Sequence, residues 1–223
     1  MAEFTLVIGN KNYSSWSLRG WLMARIAGIE FEEIVVPLDL PESQAAIRKH
    51  SPSGKVPVLI HRGLAVWDSL AIAEYLNDLK PEAGIWPPSA AARAHARSIS
   101  AEMHSGFAEL RTQMPMNIRS SYPGKGMTPT VRADIERITG LWRDARKRFA
   151  GAAPRDDGFL FGAFCAADAM YAPVVTRFKT YGVQLDSDAE AYCAAVLDHP
   201  PMKEWCEAAR NEPWLIASAE LDK

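Results

Sequence analysis

Near its start the chain carries three short stretches whose side chains, in type and order, could do chemistry. In Asn12-Tyr13-Ser14-Ser15-Trp16-Ser17-Leu18-Arg19, adjacent hydroxyls stand just ahead of a helical apolar pattern. A serine there is an ordinary helix cap. Two or three hydroxyls at a helix start can also face an anion, because free N–H groups and partial positive charge gather there. The second stretch is Ser51-Pro52-Ser53-Gly54-Lys55-Val56-Pro57-Val58-Leu59. Its proline is tolerated at the opening of an edge strand. A cis Val56-Pro57 bond would instead turn the Val56 backbone N–H and C=O outward to pair with an extended peptide. The third is Asp68-Ser69, where Ser69 is either a simple cap or, with the helix N-terminus, a carboxylate holder, and Asp68 meets an ammonium.

These stretches fall at the ends of regular elements, where sheet-based ligand sites lie. Phe4 to Ile8 is a short apolar run closed by Gly9-Asn10 and predicts a buried strand. From Ser17 to Ala27, Leu18, Trp21, Leu22 and Ile26 recur at helical spacing, with Gly28 as the stop. Phe31 to Val36 is strand-like, and Glu42 to Lys49 predicts a short polar helix. Two strands follow, Val56 to Ile60 and Leu64 to Trp67, joined by a hairpin-sized turn. Leu70, Ile72, Ala73, Leu76 and Leu79 then trace one helical face. A right-handed crossover makes the first two strands parallel, and the hairpin adds an antiparallel edge.

Beyond the proline-rich residues 81–88 nothing alternates. Ser89 to Ile118, Pro129 to Ala150, Ala166 to Tyr181, Asp188 to Leu197 and a shorter segment from Met202 to Arg210 predict helices. The strand-bearing residues 1–80, the linker 81–88 and the all-helical residues 89–223 thus form two units. Gly162-Ala163-Phe164-Cys165-Ala166-Ala167-Asp168 holds half of a capping box, a stability device.

Composition narrows the classes. A formal net charge of −2 over 223 residues gives no electrostatic footprint for nucleic acid. No apolar run approaches the roughly 20 residues of a membrane span. The start of the chain is unlike a secretory signal. Cys165, Cys193 and Cys206 have neither metal-ligand spacing nor the even count of a disulfide framework, so we expect no metal and a reducing cytoplasm. Each cysteine is expected as a small core residue.

Taken in order, the serine-rich turn, Gly54-Lys55-Val56-Pro57-Val58-Leu59, Asp68-Ser69-Leu70-Ala71-Ile72-Ala73-Glu74-Tyr75-Leu76 and the later Ala167-Asp168 resemble the cytosolic glutathione transferase family. Each motif is weak alone; their order and spacing carry the resemblance, which spans nearly the whole chain. The first turn is most similar to the serine-type branch and its zeta class, whose two serines precede a cysteine; Trp16 stands there instead. Cys165 likewise stands at a cap position where the family has Ser or Thr.

The resemblance implies a thioredoxin-like glutathione-binding domain, an all-α second domain, glutathione as cosubstrate, a small-molecule electrophile as second substrate, and a homodimer. It implies that Ser14, with Ser15 as neighbouring candidate, donates to the glutathione sulfur, beside Trp16. Val56, with Pro57 in cis, would pair with the cysteinyl part, and Asp68 and Ser69 would hold the γ-glutamyl end. Lys55, and secondarily Arg19, would meet the glycyl carboxylate or support the site. It puts the second-substrate pocket on the first long helix of the helical unit and near the C-terminus. There His104, Phe107 and Arg111 approximate one helical face, Met114 would give a soft wall, and Trp214-Leu215-Ile216 would close the pocket or pin the tail.

Magnitudes permit the chemistry. A free thiol with a pKa of about 8.5 is only about 3% thiolate at neutral pH. Lowering it by about two units takes roughly 2.7 kcal/mol. One hydrogen bond to the anion supplies about 1.5–3 kcal/mol, and a helix N-terminus about 0.3–1 more. The same thiolate would serve a glutathione-dependent isomerase of a maleylacetoacetate-like dianion or a peroxidase. A glutathione-binding regulatory module is the non-enzymatic alternative. With no cysteine in the first unit, a thiol-transferase mechanism is disfavoured.

Overall fold

A computed structural model describes residues 3–221. Phe4–Ile8 (β1) buries Phe4, Leu6, Val7 and Ile8 and pairs on both edges, which makes it a central strand. It runs parallel to Phe31–Val35 (β2) and antiparallel to Val58–His61 (β3), which pairs antiparallel with Leu64–Trp67 (β4). The sheet order is β2-β1-β3-β4. Arg62 and Gly63 turn the hairpin with φ of 49° and 85°, the left-handed pair that a tight two-residue turn demands. Helix Ser15–Ile26 (α1) forms the crossover, Ser43–Arg48 (α2) follows β2, and Ser69–Leu79 (α3) follows β4 and buries Ile72, Ala73 and Leu76. A single 3-10 turn, Pro81–Ala83, opens the connection onward.

The rest is helical: Ala90–Ser105 (α4), Ala108–Gln113 (α5), Pro129–Phe149 (α6), Ala166–Tyr181 (α7), Ser187–Asp198 (α8) and Pro200–Asn211 (α9). α7 is buried on every side apart from Lys179, as an apolar helix at the centre of a bundle must be. Its run of alanines lets α1 and α4 pack against it. One apolar core therefore joins Leu6, Leu18 and Leu22 to Met103, Trp142 and Met170. Among the described residues no helix is long and apolar enough to cross a membrane.

The helix expected over residues 89–118 is two helices. Gly106 leaves the helical region (φ −102°, ψ −167°), and a Cβ there would stand 2.8 Å from the Glu102 carbonyl oxygen. Phe107 follows in the left-handed region (φ 56°) and drives its ring into the core. Burial of one phenylalanine thus outweighs helical continuity. Ala166–Tyr181 has the bounds its periodicity predicted, and Asp168 completes the cap. The Asp168 carboxylate accepts from Cys165 N–H at 2.9 Å and from Leu160 N–H at 3.0 Å. Cys165, Cys193 and Cys206 are unbonded, and burial raises the pKa of each thiol, that of Cys193 to about 12.

Candidate active site

The turn after β1 is built by its own polar groups. Ser14 caps α1, accepting from the Ser17 N–H at 3.3 Å and donating its hydroxyl to Ser17 Oγ at 2.7 Å. Ser17 Oγ accepts from the Gly9 N–H at 2.9 Å, so the hydroxyl chain ties helix to strand. Ser15 opens the helix beside it and is buried. Trp16 comes next and is the residue of this turn that faces open space.

That space is a cleft of about 530 Å³ lined by Trp16, Ser53, Lys55, Val56, Pro57, Trp67, Asp68, Ser69, His104 and Arg111. The structure thereby gathers eight of the residues singled out from sequence, drawn from four separate segments. Val56-Pro57 is cis. α1 reaches Pro57 because Gly20 has no side chain: a Cβ there would meet Pro57 Cγ at 2.7 Å.

Asp68 sits at φ 76°, a strained conformation for a non-glycine residue and one that concentrates at ligand sites. It caps α3 through the Leu70 N–H at 2.9 Å, and its other carboxylate oxygen lies 3.1 Å from His104 Nε2. Ser69 is buried, its hydroxyl 3.9 Å from the Met170 sulfur.

Two guanidinium groups and one imidazole ring pack near Trp16. The Arg19 guanidinium lies 4.4 Å and that of Arg111 5.6 Å from its ring centre, with His104 edge-on at 5.0 Å. Arg19 is fully buried and donates Nε to the Met170 carbonyl at 2.9 Å, while both its Nη atoms lack a protein partner. Burial, then Arg177 and Arg111, bring its pKa down to about 9. With Lys55 and Arg111 at the wall and only Asp68 opposing them, the cleft favours anions.

Other expectations map differently. Ser14 and Ser15 are buried at the start of α1 and are not among the lining residues. Phe107 and Met114 belong to the core, and the helix break places His104 on α4 and Arg111 on α5 rather than on one face. Those two still meet, since Arg111 donates to the His104 carbonyl at 3.3 Å. Trp214 pins the tail, its carbonyl accepting from Arg119 at 2.6 Å, and Leu215 is exposed. Ser53 and Trp67 are lining residues that sequence reasoning did not single out. The signal for Trp67 was a large aromatic at a strand end directly before Asp68. A larger hollow of about 720 Å³ lies at the other end of β1, by Glu3, His61 and Lys80, and holds none of these residues.

Residues 13–79 match the family model described as the glutathione S-transferase N-terminal domain. The chain is 32% identical over 200 residues to a probable maleylacetoacetate isomerase of Caenorhabditis elegans, covering 84% of this chain and 90% of that one. It is 24% identical over 191 residues to glutathione S-transferase L1 of Arabidopsis thaliana, covering 85% and 71% of the two chains. A glutathione transferase homolog from Burkholderia, solved with bound glutathione, superposes with a TM-score of 0.69 at 22% identity, over 95% of this chain and all of that one. The similarity across the chain and the shared two-part fold show that this protein belongs to the cytosolic glutathione S-transferase family of enzymes.

Proposed function

We propose that the cleft binds glutathione and presents its sulfur, as thiolate, to an electrophile lying between the strand-bearing residues 1–80 and the helical residues 89–223. The observation that carries this reading is the convergence of Val56, Asp68 and Ser69 on one cleft with Trp16 and Lys55. Asp68 would meet the γ-glutamyl ammonium and Ser69 its carboxylate. The Val56 backbone would pair with the cysteinyl unit, and Lys55 would meet the glycyl carboxylate. The sulfur would then lie toward the start of α1, where helix N–H groups and a serine hydroxyl favour the anion.

Of the hydroxyls in that turn, Ser15 is the favoured donor. The Ser14 hydroxyl donates to Ser17, and the Tyr13 hydroxyl donates to Glu220 at 2.5 Å. The thiolate attacks the electrophilic carbon, a carbon–sulfur bond forms, and the leaving group departs with the electron pair of the broken bond.

Arg111 on the cleft wall favours an electrophile that itself carries carboxylate. This supports a second reading, the glutathione-dependent isomerisation of a maleylacetoacetate-like dianion, in line with the name of the nematode relative. A homodimer is part of the proposal: Leu64 on edge strand β4 is 53% exposed and offers an apolar contact, which sedimentation would test. So is residence in the cytoplasm, which the three unbonded cysteines support.

Steady-state kinetics with an activated aryl halide and with a cis-olefinic dicarboxylate test the reading. Ser15→Ala is expected to lower kcat/KM by about 30-fold, the loss of roughly 2 kcal/mol of hydrogen bonding to the thiolate. Ser14→Ala is expected mainly to reduce stability, by about 1 kcal/mol for the lost cap. If neither substrate reacts with glutathione, the transferase and isomerase readings both fail.

A further inference from the structure

We infer that the C-terminal residues 212–220, together with Arg119, form a strap that fixes the turn carrying Ser14 and Ser15, with Glu220 as a positioning residue for thiol activation. The inference rests on the serine reading above. Its basis is that residues Lys11 to Tyr13 have their polar groups held by segments about 100 to 200 residues away in sequence.

The Glu212 carboxylate accepts from the Lys11 N–H at 2.6 Å and the Asn12 N–H at 2.9 Å. Trp205 Nε1 donates to the Lys11 carbonyl at 2.9 Å, and Lys11 Nζ lies 2.6 Å from Glu33, between the rings of Trp21 and Trp205. Asn12 is fully buried. Its side chain donates to Asn117 Oδ1 at 2.9 Å and accepts from the Arg119 N–H at 3.0 Å. Tyr13, directly before Ser14, donates its hydroxyl to Glu220 and accepts from Arg119 Nη2 at 2.8 Å. Glu220 also accepts from Asn117 at 3.0 Å and Tyr122 at 2.9 Å, and Arg119 also binds the carbonyls of Glu212 and Trp214 at 2.5 and 2.6 Å.

A chain end merely packed on the surface would need none of these bonds. Burial pushes the Glu220 carboxyl upward, but donation from Tyr13, Tyr122 and Asn117 and the charge of Arg119 outweigh it, so the group stays ionised below the usual range. An ionised Glu220 holds Tyr13 in one place, and the N–H groups of Tyr13 and Ser14 both return to the Asn10 carbonyl, at 3.3 and 2.8 Å. The start of α1 is therefore placed from both sides. A displacement of about 1 Å there is enough to misdirect a hydroxyl from a thiolate.

The test uses the full chain. Glu220→Gln keeps the size of the side chain and removes its charge; Tyr13→Phe keeps the ring and removes the hydroxyl that joins Glu220 to the turn. In each, the pKa of bound glutathione, followed by thiolate absorbance, is expected to rise by about half a unit or more toward the free value. The kcat at pH near 6.5 should fall about three- to tenfold with KM for glutathione within about twofold. Glu190→Gln, the same chemical change at an exposed position of α8 outside the strap and the cleft, should change neither quantity. Unchanged thiol pKa and kcat in Glu220→Gln and Tyr13→Phe would overturn the strap, leaving it a tie for the tail alone; should the first variant not fold, the second decides. Backbone amide exchange at residues 11–15 separates this from failure of the serine reading. Faster exchange in Glu220→Gln supports the strap even if the wild-type thiol is not shifted, and unchanged exchange counts against it.

Discussion

Asp68 shows how one side chain can be claimed by structure and by ligand together. One carboxylate oxygen caps α3 and the other faces His104 at the cleft, on a backbone of positive φ. Such strain persists only where surrounding contacts over-determine it. Asp68→Asn keeps an oxygen for the Leu70 N–H but removes the charge. We expect melting to shift little while the Kd for glutathione rises about tenfold or more, the worth of a charged hydrogen bond of about 1.5–3 kcal/mol. Calorimetric titration checks this; an unchanged Kd would remove Asp68 from the γ-glutamyl site. At this scale the sequence displayed the polar types but not their commitments. That Ser14 spends its hydroxyl on Ser17, or that Tyr13 is taken by Glu220 from the far end of the chain, depends on contacts no local pattern encodes.

Elements were the most legible level, because periodicity reflects burial and burial was regular. The apolar run of β1 and the bounds of α7 followed directly, and of the face expected on α3 Ile72, Ala73 and Leu76 are buried while Leu79 at its end is exposed. The break between α4 and α5 did not. Gly106 alone is tolerated in helices, and only the core that receives Phe107 makes it a boundary. This break sets the mouth of the cleft, since it lets Arg111 fold back on the His104 carbonyl. At the start of α7, burial pushes the Asp168 carboxyl up to about 6 even though it accepts two N–H bonds. Asp168→Ala would leave both donors buried and unpaired. A loss of about 2–4 kcal/mol in denaturant unfolding is expected, with glutathione affinity of the folded fraction unchanged. A loss under about half a kcal/mol would mean that the cap is dispensable.

Across the molecule, one core passes through strands and helices alike, so the cleft is set by a single packed body rather than by a loop. Its stability should depend on pH through histidines held neutral. Burial lowers the pKa of His199, stacked on Phe164 at 4.1 Å, and burial followed by Arg148 lowers that of His95. The unfolded chain then binds these protons first, so stability falls as pH drops below about 6.5. Asp168 acts with the opposite sign below about 6, because the folded state takes up its proton first. Comparison of wild type with His199→Phe isolates the histidine: between pH 7.5 and 5.5 the variant should lose less stability, and equal losses would contradict the assignment. The central claim, that this cleft holds glutathione as a thiolate, is tested most directly by titrating glutathione into the protein and following thiolate absorbance across pH 5.5 to 9. The account predicts a bound-thiol pKa at least about one unit below the free value of about 8.5, a shift that Ser15→Ala abolishes. Binding with an unshifted pKa, or no binding, would contradict it.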